Sequence, residues 1–210
     1  MSRASEEFIT EFNQIYELKK QSEELIYKMN DFCSKWDGNL TVSEIPYLIK
    51  LFDDNCSTSE QNEFIVEAIR SIYEKSPLDT VRCILDNTSI LSTENSEECF
   101  FWLCIFVIPT YNGYKEFLPD IISILAKYPG EVVKEYISYC EEQIEKEKNS
   151  IKKRKEKIKD YEKNIQEKPG QQKTYKRLIE NEKEWIVFDS KLLYFYQNFL
   201  KQYRKFQFEL

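Results

Sequence analysis

From Ile137 onward an isoleucine recurs at every seventh position: Ile137, Ile144, Ile151, Ile158 and Ile165. The run "EKPGQQKT" interrupts it, and a second series follows as Ile179, Ile186, Leu193 and Leu200. A strand repeats every two residues and cannot align side chains seven apart, whereas a helix completes two turns in seven. Two such series on either side of a Pro-Gly turn predict a long antiparallel helical hairpin. An arm of about 30 residues would extend roughly 45 Å at 1.5 Å per residue. The positions between the isoleucines of the first arm are Cys140, Glu147, Arg154 and Tyr161. The polar pair makes the seam thin near its middle. Long Lys and Arg stems lying over aromatics of the other arm, Trp185 and Tyr175 among them, are expected to cover it.

The rest of the chain reads as helical too. There are 4 glycines and 6 prolines in 210 residues, too few for the turns of a sheet-rich domain. Phe8, Phe12, Ile15, Leu18, Leu25, Ile26, Met29 and Phe32 are spaced as one long amphipathic helix that ends near Trp36, with Gly38 as its stop. Ser43 is the expected cap of the next helix, with Pro46 in its first turn and Asp53, Asp54 and Asn55 at its end. Ser57 and Glu60 have the spacing of a capping box. Ser76 and Pro77 start another helix. "CFFWLCIFVIP" is apolar nearly all round and should lie at the centre of a bundle.

Residues 44–52, "EIPYLIKLF", resemble residues 117–125, "FLPDIISIL", with proline third in both. The 73-residue offset is about twice the period of a two-helix solenoid unit. The predicted fold is therefore all-α. Residues 1–130 form a HEAT-like body of stacked helix pairs, and residues 131–210 form the hairpin, a short coiled coil.

Charge decides how the hairpin is read. Residues 144–165 hold nine Lys/Arg and five Asp/Glu, a net +4. The whole chain carries −7 with an isoelectric point near 5.0, so the remainder carries −11. Acids alternate through the basic run, and no aromatic is interleaved for base stacking before Tyr161. The run reads as a solvated helix face with intrahelical ion pairs. An acidic protein repels phosphate, so no nucleic acid is expected as a partner.

Several kinds of chemistry are excluded or disfavoured by composition. There is no histidine, which removes Ser-His-Asp and Cys-His nucleophiles and most zinc sites. No glycine-rich loop is present to cradle a phosphate or dinucleotide. Cys33, Cys56, Cys83, Cys99, Cys104 and Cys140 form no C-x-x-C pair and read as reduced structural thiols. We expect no catalytic, metal or cofactor site. The first twenty residues lack a signal-peptide core, and no stretch of 18 apolar residues is present. A soluble cytoplasmic protein with no membrane partner is the expectation.

"IPYLIKLFDD" (residues 45–54), "FIVEAIRSI" (64–72) and "VRCIL" (81–85), followed by the Trp102 segment, resemble the immunity protein 30 family of bacterial polymorphic-toxin systems. In that family a helix ends in a hydrophobic-Phe-Asp-Asp turn, an amphipathic helix follows, and a later helix carries a tryptophan. The resemblance spans residues 43–120. Arg70 stands where the family tends to carry an acid, Asn112 matches a family asparagine loosely, and the hairpin has no counterpart.

The resemblance implies a cytosolic antidote that neutralises one cognate toxin by stoichiometric binding. The acidic body suits a basic toxin such as a nuclease. Asp53, Asp54, Glu60, Glu63 and Glu67 are the candidate partner-binding acids. Asp53 and Asp54 also fit the plainer role of turn formers. The alternative is a self-associating scaffolding protein of phage or mobile-element origin that pairs through the hairpin.

Overall fold

Long stretches free of breakers do become helices. The structure is a computed structural model that describes residues 4–18, 25–52, 60–88, 97–108 and 115–208. Among the described residues all regular structure is helical: α1 (Glu6–Leu18), α2 (Leu25–Trp36), α3 (Ile45–Leu51), α4 (Glu60–Lys75), α5 (Pro77–Asp86), α6 (Glu97–Val107), α7 (Leu118–Leu125), α8 (Gly130–Glu167) and α9 (Gln172–Phe208). None of them is long and apolar enough to cross a membrane. The chain divides into two compact units, Met1–Val132 and Val133–Leu210.

The single helix expected up to Trp36 is instead two. The Phe8 ring lies 5.4 Å from both Phe32 and Trp36. In one straight helix Phe8 and Phe32 would stand roughly 36 Å apart. Folding α1 back on α2 buries both apolar stripes against each other, which a lone amphipathic helix cannot do. Phe8 and Phe12 also meet Tyr47 edge-on at 5.9 and 5.1 Å, which ties this pair to α3. At the rim, Trp36 Nε1 donates to Glu11 at 2.9 Å, and Lys35 Nζ donates to Glu7 and Glu11. The Lys35 hydrogen bond holds the Glu11 carboxyl below its ordinary range. Gly38 follows α2 with φ of +78°, a conformation that favours glycine.

The cap before α3 also differs from expectation. Thr41 caps the 3₁₀ turn that leads into α3, with Glu44 Oε2 accepting from the Thr41 N–H at 2.7 Å in a capping box, and Glu44 holds the cap position of α3 itself with no side-chain hydrogen bond to that helix. Ser43 sits inside the 3₁₀ turn Val42–Glu44. The Ser57 end of the other expected box lies outside the described residues. Ser76 does occupy the cap position of α5, with no side-chain hydrogen bond to the helix.

The internal repeat is structural. Residues 44–52 and 117–125 both run from a 3₁₀ turn into a short helix with proline at its first or second position, Pro46 in α3 and Pro119 in α7. Pro77 starts α5 in the same way. The odd-numbered helices stack in series, α1 on α3, α3 on α5 and α5 on α7, while α2 stacks on α4 and α4 on α6. That is the HEAT-like arrangement of helix pairs. Ile65, Ile69, Ile72 and Tyr73 of α4 are fully buried, as are Leu103, Cys104 and Val107 of α6. The Tyr73 and Phe106 rings pack at 5.4 Å.

The second unit is the predicted hairpin. Its arms are antiparallel, since Tyr139 meets Tyr196 near one end and Tyr161 meets Tyr175 near the other. The isoleucine seam is thin, as expected: Ile144 and Ile179 are buried, while Ile151, Ile158 and Ile186 are half-buried. An ionic cluster occupies the middle. Arg154 donates through Nε to Asp189 and through Nη1 to Glu182, each at 2.9 Å. Ser150 Oγ donates to the same Asp189 oxygen at 2.7 Å. The Arg154 guanidinium also lies 5.2 Å from the centre of the Trp185 ring, the cation-over-aromatic cover foreseen for this seam. Tyr175 is covered by Tyr161 rather than by a cation. Glu147 is buried beside this cluster. Burial, and then the Asp189 carboxylate, push its carboxyl above the ordinary range, against the pull of Lys146 and Arg154.

Two outcomes follow from this packing. Phe8→Ala should destabilise the first unit by about 3–5 kcal/mol, the usual cost of emptying a buried phenylalanine site. Urea unfolding followed by circular dichroism measures it. For Glu147 the folded-state pKa is raised, so ionised Glu147 weakens the hairpin as pH climbs through that value. Glu147→Gln should therefore raise the urea midpoint of the hairpin at pH 7, and the gain should vanish towards pH 4. An equal gain at both pH values would rule out a titrating carboxyl as the cause.

Candidate partner-binding surface

Helix α4 carries Glu63, Glu67, Arg70 and Glu74 at intervals of four, three and four residues, so the four form one ridge. The opposite wall is α2, whose Asn30 and Ser34 lie one turn apart and lead into Asp37. Between them runs a groove of about 480 Å³ with Cys33, Phe64, Ala68 and Ser71 among its lining residues. Asp37, Glu67, Arg70 and Glu74 also line it. The charged walls belong to two helices that pack on each other.

Arg70 is placed to moderate the acids around it. Its Nη1 donates to both Glu67 oxygens, at 2.6 and 2.9 Å. This is an exposed pair one turn apart on the same helix, worth a few tenths of a kcal/mol in helix stability. Asp37, Glu63 and Glu74 are all exposed on the same surface.

The candidate acids fare unequally. Glu63 and Glu67 are exposed on the ridge. Glu60 opens α4, but its side chain lies outside the described residues, as do Asp53 and Asp54 entirely. The structure adds Glu74 and Asp37. Glu74 was within reach of the sequence, because it continues the Glu63–Glu67 spacing by a further seven residues. Asp37 was not, since only the packing of α2 on α4 brings it alongside.

A larger cavity of about 940 Å³ lies elsewhere in the first unit, with Leu40, Pro46, Tyr47, Ile72 and Cys83 among its lining residues. The cations on its wall are already engaged. Lys75 Nζ donates to the Gly38 carbonyl at 2.7 Å, and Arg82 donates to Asp79 at 2.6 Å. Among the described residues no three Asp, Glu or Cys side chains converge on a metal position. Comparisons with family models, with curated proteins and with solved structures find no match to this chain.

The cysteines at and behind these surfaces are poor nucleophiles. Cys33, Cys83, Cys104 and Cys140 are buried thiols outside any disulfide. Burial pushes the Cys33 thiol up to about 12 and the Cys83 thiol up to about 11. At pH 8 the thiolate fraction is minute. Peptide mapping after iodoacetamide treatment should find Cys33 and Cys83 unmodified in the native chain and alkylated once denaturant is added. Rapid native alkylation of Cys33 would mean that the groove floor opens.

Proposed function

We propose that this protein neutralises a cationic bacterial toxin by stoichiometric binding, as an immunity protein does. The acidic groove between α2 and α4 supplies part of the contact. The observation that carries the reading is a fixed, acid-walled groove on a strongly acidic unit. Residues 1–132 hold 11 Lys/Arg and 23 Asp/Glu, a net −12, whereas residues 133–210 hold 19 and 14, a net +5. A nuclease domain must be basic to hold phosphate, and an acidic unit steers such a surface into encounter. Because the acids stand on packed helices, little ordering entropy is lost on binding. The likeness of residues 43–120 to the immunity protein 30 family supports the same reading. It runs through α3, α4 and α5, and therefore includes the acidic ridge. The mode of action is occlusion: bound acids occupy the cationic site that the toxin needs for its substrate, and no covalent chemistry is required.

Co-expression with a toxin domain encoded beside this chain should rescue a poisoned cell, and the two should purify as a one-to-one complex. Glu63→Lys, Glu67→Lys and Glu74→Lys combined should slow association by roughly tenfold or more at low salt, since charges at the rim of an interface act mainly on the on-rate. The fold should persist because those side chains are exposed. Stopped-flow association and thermal unfolding measure the two effects. An unchanged association rate in the triple variant would remove the groove from the contact, and failure of the wild-type chain to bind would remove the reading.

A further inference from the structure

Helix α9 carries a second apolar ridge besides the one facing α8. Leu178, Asn181, Trp185, Phe188, Leu192, Phe195 and Phe199 follow one another at alternating intervals of three and four residues. That is the spacing of a coiled-coil seam. Phe195 and Phe199 are buried, but the ridge surfaces towards the turn, where Trp185 is 51% and Phe188 50% exposed. The two rings pack edge to face at 5.8 Å, so they form one fixed aromatic step. A helix face of this kind in contact with water is costly, and contiguous exposed aromatic surface marks an interaction site.

The neighbouring ridge of α8 says what would cover it. Lys146, Ser150, Lys153 and Lys157 follow at intervals of four, three and four. Ser150 bonds Asp189, and Lys157 Nζ lies 3.4 Å from Glu182, so this ridge borders the seam. In an antiparallel pair with these registers, the lysine ridge of α8 and the aromatic ridge of α9 fall on one face of the hairpin. One half of that face is cationic and the other half is aromatic. Rotation by 180° about an axis parallel to the arms exchanges the halves. A second hairpin so related would set its Lys153 over Trp185 and Phe188 of the first, with its Lys146 further along the arm beside Leu192, and receive the same contact in return.

We propose that this face is the dimerisation surface of the protein, with a second copy of this chain as the occupant. The face is complementary to itself, which an isologous two-fold interface requires. Each copy contributes lysine-over-aromatic contacts that a generic hydrophobic partner would not satisfy. The stretch of ridge that reaches the surface, Leu178 to Leu192, is about 21 Å long, which sets the interface at the small end of the range for protein pairs and its dissociation constant in the micromolar range. This inference does not depend on the toxin reading, because it uses only the second unit.

Sedimentation velocity of the full chain between 1 and 100 µM tests it. The wild type should convert from monomer to dimer within that range. Phe188→Lys should weaken the dimer at least tenfold by setting a cation against lysines, and Lys146→Glu with Lys153→Glu should weaken it as well by removing cations from the aromatic step. The triple variant that carries all three changes should regain the dimer, because new ion pairs replace the lost contacts within the same two-fold arrangement. Helicity should stay at the wild-type value in each, since all three side chains are exposed, and at concentrations where the wild type is monomeric the thermal midpoints should agree as well. A wild-type chain that is still monomeric at 100 µM would overturn the proposal. So would a dimer indifferent to Phe188→Lys, or a triple variant no tighter than its parents.

Discussion

Helix α4 is the element on which the first unit depends, because it packs against α2, α3, α5 and α6 alike. The short helices beside it, such as the seven residues of α3, fall below the length at which a helix persists alone in water. They are helical because their apolar faces are covered. Ile65, Ile69, Ile72 and Tyr73 provide that cover, and each pair of helices then supplies a surface for the next. The prolines that open α3, α5 and α7 fix where each new pair begins, at positions whose N–H groups have no partner within the helix.

The hairpin is held by a different balance. Its apolar seam is interrupted at Glu147, Arg154, Glu182 and Asp189, and three of these four close on one another through Arg154. A buried ion cluster contributes little net stability, since desolvation offsets most of the attraction. Its geometric demand is severe, however. Sliding one arm by a turn would leave Arg154 away from both acids and bury the charges unpaired. The cluster therefore fixes register where isoleucines alone would tolerate slippage, and tyrosine pairs on either side extend the contact. Fixed register is also what sets lysine and aromatic ridges on the same face.

Charge separates the two units as clearly as packing does. The acids of the first unit stand on exposed helix faces, where they cost little to keep ionised and act at a distance of about a Debye length, ~8 Å at physiological salt. The cations of the hairpin are interspersed with acids, and several are bound to them, as in Lys148–Glu145 and Lys183–Glu180. The two proposed contacts differ accordingly. The acidic groove favours rapid encounter with a cationic protein. The hairpin face favours close, shape-dependent pairing in which aromatic rings carry the contact.

The sequence by itself determined the helical class, the stacked pairs and the hairpin, because each rests on periodicity within a single segment. Isoleucines seven apart, a repeated proline position and a lack of breakers are local signals, and the fold obeys them. It could not show that the run from Phe8 to Trp36 folds back on itself, because an amphipathic stripe looks the same whether one helix carries it or two. Nor could it assign the cap to Thr41 rather than Ser43, since both offer a hydroxyl and only the 3₁₀ turn distinguishes them. The acidic ridge of α4 was half legible, through Glu63 and Glu67. Its far wall at Asp37 and the closure of Arg154 on Asp189 and Glu182 were decided by tertiary structure alone. Those contacts join residues about 30 apart or more, and a pattern within one helix holds no information about which ridge of another will lie against it.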